Sequence, residues 1–118
     1  MLDSKFSTEG RKTMLTSPYV VLRQTGCLKF DMYMNILKHD IIFSLSVYTQ
    51  RIKNDLIAKF IKSFGASWQK INLNLEKGSY HIVFEATTGI PYHSDISIDS
   101  INVETGECPN LIGLFKMF

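Results

Sequence analysis

Cysteine, proline, tryptophan and charge imbalance are all scarce in this chain. Of 118 residues two are cysteine, three proline and one tryptophan, and thirteen Lys and Arg stand against eleven Asp and Glu for a net charge of +2. The two cysteines, Cys27 and Cys108, have no Cys-x-x-Cys spacing and no paired histidines beside them. That argues against a zinc site and leaves either one long-range disulfide or two buried thiols. Basic residues are spread along the chain, so the footprint of a nucleic-acid or anionic-membrane binder is absent. No run approaches the ~20 apolar residues of a membrane span. The longest candidate, Leu111 to Phe118, is broken by Lys116, so direct membrane insertion is not expected. Met1 to Lys5 has no apolar h-region, and no secretory signal is expected in this chain. Asn-x-Ser/Thr sequons are absent as well.

Catalytic signatures are missing too: there is no GxSxG, GxGxxG, Walker loop or HExxH, and no cysteine near a histidine in sequence. The three histidines, His39, His81 and His93, are scattered and read as solvated surface groups. No catalytic residue is therefore named, and the chain is expected not to be an enzyme.

What remains is ordinary globular material, 45% apolar and 20% charged, of a length that holds one core and not two. Residues 1–16 are polar and weakly periodic, and read as a poorly ordered arm or an edge strand. Beyond them the pattern is alternation. Leu28, Phe30, Met32 and Met34 fall on one face, with Lys29, Asp31 and Tyr33 on the other; Ile41, Phe43, Leu45 and Val47 oppose Ser44, Ser46 and Tyr48. Further alternating runs centre on Ile71, Leu73 and Leu75, on Tyr80, Ile82, Phe84 and Ala86, and on Ile96 and Ile98. Turn signals at Lys77-Gly78, Gly89-Ile90-Pro91 and Thr105-Gly106 punctuate them. Short alternating strands with polar turns argue for an all-β sandwich or barrel.

One segment resists. Leu56, Ile57, Phe60, Ile61 and Phe64 recur at three- and four-residue spacing, which locally reads as an amphipathic helix.

The densest group of unusual residues runs from Gly89 to Ile101. In a strand starting at Asp95, the residues Asp95, Ser97 and Asp99 share one face, with the two carboxylates expected about 7 Å apart. Such a face is either an ordinary polar sheet surface or a place for a hard cation such as Ca2+. Apolar parity slips from Ile96 and Ile98 to Ile101 and Val103, which points to a bulge near Asp99-Ser100. Tyr92 beside His93, in a turn, is a candidate contact surface for a partner.

These residues also carry a family resemblance. The runs Gly78-Ser79-Tyr80-His81-Ile82-Val83-Phe84-Glu85-Ala86, Asp95-Ile96-Ser97-Ile98-Asp99-Ser100-Ile101 and Gly106-Glu107-Cys108-Pro109 resemble the closing signature of the MAM domain. Upstream, Ser17-Pro18, Cys27-Leu28-Lys29-Phe30-Asp31-Met32-Tyr33-Met34 and Ser67-Trp68-Gln69 with Leu73 are similar to earlier parts of that family's pattern. The resemblance implies an antiparallel jelly-roll β-sandwich over residues 17–110, with an apolar tail at 111–118. It also implies a Cys27–Cys108 disulfide, a strand where the helix pattern lies, and an extracellular module or ectodomain that recognises a protein or associates with itself. The family's opening region has no counterpart before Ser4, so the sandwich is expected to be incomplete at its N-terminus. Ser100 stands where the family has Asp, which weakens a metal site at Asp95 and Asp99.

A second reading is a jelly-roll carbohydrate binder with Trp68 or Tyr92 as its stacking platform and Asp95 as a polar anchor, although Trp68 is expected in the core. A third is an intracellular protein whose resemblance is accidental, which the redox state of the two cysteines discriminates.

Overall fold

Every second residue of the long strands is buried, and that parity builds two sheets. The structure, a computed structural model, describes residues 3–6, 12–36, 43–61, 67–88 and 94–109. Nine strands occur among them: β1 (Asp3–Phe6), β2 (Lys12–Thr16), β3 (Val20–Leu22), β4 (Gly26–Ile36), β5 (Phe43–Gln50), β6 (Asn54–Phe60), β7 (Trp68–Leu75), β8 (Gly78–Thr88) and β9 (Ser94–Thr105). All of them pair antiparallel, in a first sheet ordered β1-β9-β4-β7 and a second ordered β2-β8-β5-β6, with β3 also on β8. The all-β jelly-roll expectation holds. Within residues 1–16 two short strands form, each at the edge of its sheet.

The inward faces of the two sheets close on each other as in an aligned sandwich. Leu28, Phe30, Met32 and Met34 of β4 and Ile96 and Ile98 of β9 meet Leu45 and Val47 of β5 and Ile82, Phe84 and Ala86 of β8, all nearly inaccessible to solvent. The rings of Phe30 and Phe84 cross the gap edge to face, with centroids 5.1 Å apart.

Two irregularities explain departures from strict alternation. In β9, Ser100 and Ile101 lie opposite the single residue Phe30 of β4, between the register pairs Asp31↔Asp99 and Lys29↔Asn102. Ser100 takes φ 54°, and Asp99 Oδ1 accepts its N–H at 2.7 Å. This bulge sits where the sequence places it and turns Ile101 and Val103 inward. A second bulge lies in β6, where Val47↔Ala58 is followed by Tyr48↔Leu56 and Ile57 is the extra residue. The local helix reading of Leu56 to Phe64 is corrected here: residues 54–60 are a strand, and 62–66 lie outside the described residues. The bulge breaks the period of two. Together with the exposed Leu56 and Ile61, it produces the three- and four-residue spacing that imitates a helix.

The chain between β2 and β3 is pinned to β8. Ser17 N–H donates to the Ile82 carbonyl at 2.8 Å, and Ile82 N–H donates to Ser17 Oγ at 2.9 Å. His81 Nδ1 lies 2.9 Å from the Ser17 carbonyl oxygen, and its ring meets that of Tyr19 at 5.2 Å. His81 is thus a half-buried tie between segments, in contrast to the solvated group expected. His39 and His93 lie outside the described residues.

Next to His81 on β8, the buried Tyr80 donates its hydroxyl to the Glu76 carbonyl. Arg51 lies over the Tyr80 ring at 5.0 Å and 3.8 Å from the Glu76 carboxylate. Burial pushes the Tyr80 phenol above its ordinary pKa, with Arg51 pulling it down and Glu76 adding to the rise. The Lys77-Gly78 turn beneath this group uses Gly78 at φ 143°.

Candidate interaction surface

The outer face of the β1-β9-β4-β7 sheet collects the residues that alternation turns away from the core. Register aligns them in rungs across β9, β4 and β7. One rung is Ser97, Tyr33 and Trp68; the next is Asp99, Asp31 and Lys70; beyond the bulge come Asn102, Lys29 and Asn72. Backbone register also sets Asp3 opposite Asp99 and Lys5 opposite Ser97.

Trp68 is the main surprise. Residue type predicts it in the core, yet it is 50% exposed and tilts against Tyr33 with ring centroids 5.5 Å apart. The signal that finds it is parity: Ile71, Leu73 and Leu75 point inward, so an even-numbered neighbour points outward. The aromatic pair supplies a broad apolar contact with a polar edge. Beside it Lys70 Nζ lies 3.6 Å from Asp31 Oδ1. Lys29 Nζ lies 2.9 Å from Glu104 Oε1, and Asn102 Nδ2 donates to Glu104 Oε2 at 3.0 Å. The face is therefore mixed in charge.

The expected cation pair, Asp95 and Asp99, lies on β9, where the backbone of both residues but the side chain of Asp99 alone is described. Asp95 and Asp99 are two steps apart on an extended strand, about 13 Å between Cα atoms, and they occupy different rungs, opposite Asn35 and Asp31. Asp99 already accepts the Ser100 N–H, and Asp31 is held by Lys70. Among the described residues no three His, Cys, Asp or Glu side chains converge to hold a metal ion. Tyr92 and His93 lie outside the described residues.

At the far end of this face Cys27 and Cys108 form a disulfide with Cα atoms 4.8 Å apart, both buried. The Cys108 N–H donates to Asn74 Oδ1 at 2.8 Å, so β7 helps to seat the end of the domain against β4. Of the two states left open for these cysteines, the bonded one is found.

The family model described as "MAM domain, meprin/A5/mu" matches residues 1–109. The chain belongs to the MAM domain family. A relative from Gallus gallus, "MAM domain-containing glycosylphosphatidylinositol anchor protein 1", is 28% identical over 104 residues, covering 85% of this chain and 11% of that protein. The MAM chain thus spans about a ninth of that relative's length. Among solved structures, one described as "CBM4 structure and function" superimposes with a TM-score of 0.54 at 7% identity, covering 88% of this chain and 82% of the other. At that identity the likeness concerns the β-sandwich alone. Among the described residues no helix is long and apolar enough to cross a membrane.

Proposed function

We propose that this MAM domain is a non-catalytic, extracellular adhesion module that recognises a protein partner, or a second copy of itself, through the outer face of the β1-β9-β4-β7 sheet. The observation that carries the reading is the half-exposed Trp68 set against Tyr33 and flanked by the Asp31–Lys70 pair. Exposed aromatic anchors ringed by charge are the usual energetic centres of protein interfaces. The buried disulfide supports an oxidising, extracellular setting. Tyr92 and His93, which lie outside the described residues, are candidate contact residues of the same proposal. The carbohydrate alternative gains nothing from the CBM4 likeness, which concerns the fold.

The test is a secreted Fc fusion of the domain, assayed for binding to cell-surface ectodomains and for self-association by sedimentation. Trp68→Ala is expected to weaken the dominant interaction at least about tenfold, a loss of about 1.4 kcal/mol. The melting temperature should stay within a few degrees of the parent. Unchanged binding by a folded Trp68→Ala variant overturns the assignment of this face.

A further inference from the structure

The bulge in β9 brings a backbone amide against the carboxyl group of the residue before it. Ser100 N lies 2.7 Å from Asp99 Oδ1, and the carboxyl carbon Cγ is one bond of about 1.2 Å from that oxygen. The nitrogen therefore stands no more than about 4 Å from Cγ, close to the 3–3.5 Å at which reacting atoms meet. A small turn of the carboxyl group about its bond to Cβ sets Cγ in front of the nitrogen.

The surroundings favour a reaction between the two. Ser100 and Ile101 stand opposite the single residue Phe30, and the Ser100 N–H is given to the Asp99 carboxylate at this break in the regular register. Ser100 takes φ 54°, a left-handed conformation that a side chain disfavours and that the bulge imposes. Its side chain is short and leaves the nitrogen open to approach. Water has access, since Ser100 is exposed and Asp99 only half-buried. Asp31, directly across the ladder, is the contrast: Met32 follows it in regular register, and its carboxylate is turned towards Lys70.

We propose that the Asp99–Ser100 link is a site of spontaneous backbone modification, rearranging through a cyclic imide to an isoaspartyl bond. The ring closes when Ser100 N bonds to Asp99 Cγ; the carboxyl C–OH bond breaks, and the hydroxyl leaves with the amide proton as water. A water molecule then opens the ring. Attack at Cγ restores aspartate. Attack at the main-chain carbonyl carbon breaks its bond to Ser100 N, which takes back a proton, and the chain now runs through Cβ and Cγ with the α-carboxylate pendant. Water is the only co-reactant, released once and taken up once, so the product has the mass of the starting chain.

The fold supplies what a free chain has to find by chance, a nitrogen and a carboxyl carbon already held together. The product adds one atom to the main chain of residue 99. That residue is paired with Asp31 on one side and with Asp3 on the other, so the added atom disturbs both ladders of β9 at once. The chemistry goes beyond the adhesion reading and rests on none of it.

The experiment incubates the oxidised domain in heavy-oxygen water at body temperature and neutral pH over several weeks. Digestion and mass spectrometry then locate the label and separate aspartyl from isoaspartyl peptides. A synthetic peptide of Ser94–Thr105 is the unstructured reference. Each closure and opening of the ring installs one heavy oxygen at residue 99, whichever way the ring opens. Label is expected there at least about threefold faster in the folded domain than in the peptide, and the isoaspartyl form, separated by chromatography, is expected to melt below the parent. Asp99→Glu, which would need a six-membered ring, should abolish the labelling. Ser100→Gly tolerates positive φ and should keep or raise the rate without lowering the melting temperature. A rate at residue 99 no faster than the peptide's overturns the proposal, as does equal labelling at Asp31. Labelling that persists in Asp99→Glu, or a folded Ser100→Gly variant that drops to the peptide rate, does the same.

Discussion

Tyr80 shows how much one buried polar group can be asked to do. Its ring lies in the core, its hydroxyl reaches the Glu76 carbonyl, and Arg51 covers the ring from outside. Burial raises the phenol pKa, so the folded protein holds the neutral form that donates the hydrogen bond. An unfolded tyrosine ionises near pH 10. The contribution of Tyr80 is therefore full below about pH 10 and declines as pH rises beyond it, because only the unfolded chain gains from ionising there. Tyr80→Phe should cost about 1 kcal/mol near neutrality, and urea unfolding at neutral and strongly alkaline pH should show a shallower alkaline loss than in the parent. An equal slope in both proteins contradicts the assignment. The neighbouring Gly78 carries a second expectation at this scale. At φ 143° an alanine is strained, and its Cβ would stand 3.0 Å from Arg51 Nη2. Gly106, at φ 100°, has nothing within 4 Å of the same position. Both Gly→Ala changes should destabilise by about 1 kcal/mol or more, but only Gly78→Ala should also displace Arg51 from Tyr80, visible as a changed tyrosine absorbance.

At the scale of the element, β4 states the rule that built the molecule, and the rule is testable by neighbours. Phe30→Ala should cost about 3–5 kcal/mol, since the cavity opens opposite Phe84. Asp31→Ala, one residue along and facing solvent, should change stability by no more than about 0.5 kcal/mol in denaturant titrations. Where alternation is clean, at β4, β5, β7 and β8, the strands are legible from the residues alone, and the Ser100 bulge is legible from the slip in parity. β6 is not, because a bulge at Ile57 and exposed apolar residues at both ends erase the period of two. There the family resemblance is the better guide. The candidate surface is half legible. Lys29, Asp31 and Tyr33 are placed outward by their strand, while residue type sends Trp68 to the core against its own parity. Asp95 and Asp99 share a face of β9 but stand on different rungs, opposite Asn35 and Asp31, which spacing along one strand does not reveal.

For the whole molecule one covalent constraint adds to the core, the single disulfide, with its cysteines 81 positions apart. On the chain-entropy account, closing so long a loop removes about 4–5 kcal/mol of freedom from the unfolded state. Against a typical net stability of about 5–15 kcal/mol that is a large share. Reduction, or the double change Cys27→Ala and Cys108→Ala, should lower the urea midpoint sharply while leaving the slope nearly unchanged if the fold survives. A midpoint that does not move would show that the unfolded chain was already compact.

The position of that bond also divides the molecule mechanically. Tension applied through residues on either side of it passes from Cys108 to Cys27 across one covalent link, so everything from β4 to β9 is bypassed and cannot be drawn out. Among the described strands those before Cys27 can yield, peeling β1 from β9 and β2 and β3 from β8 strand by strand. Between Asp3 and Cys27 there are 24 residue steps, which lengthen to roughly 80 Å when extended. A domain pulled between two surfaces would give way by that length less the folded separation of Asp3 and Cys27 and then stop, with the face bearing Trp68 still folded and still presented.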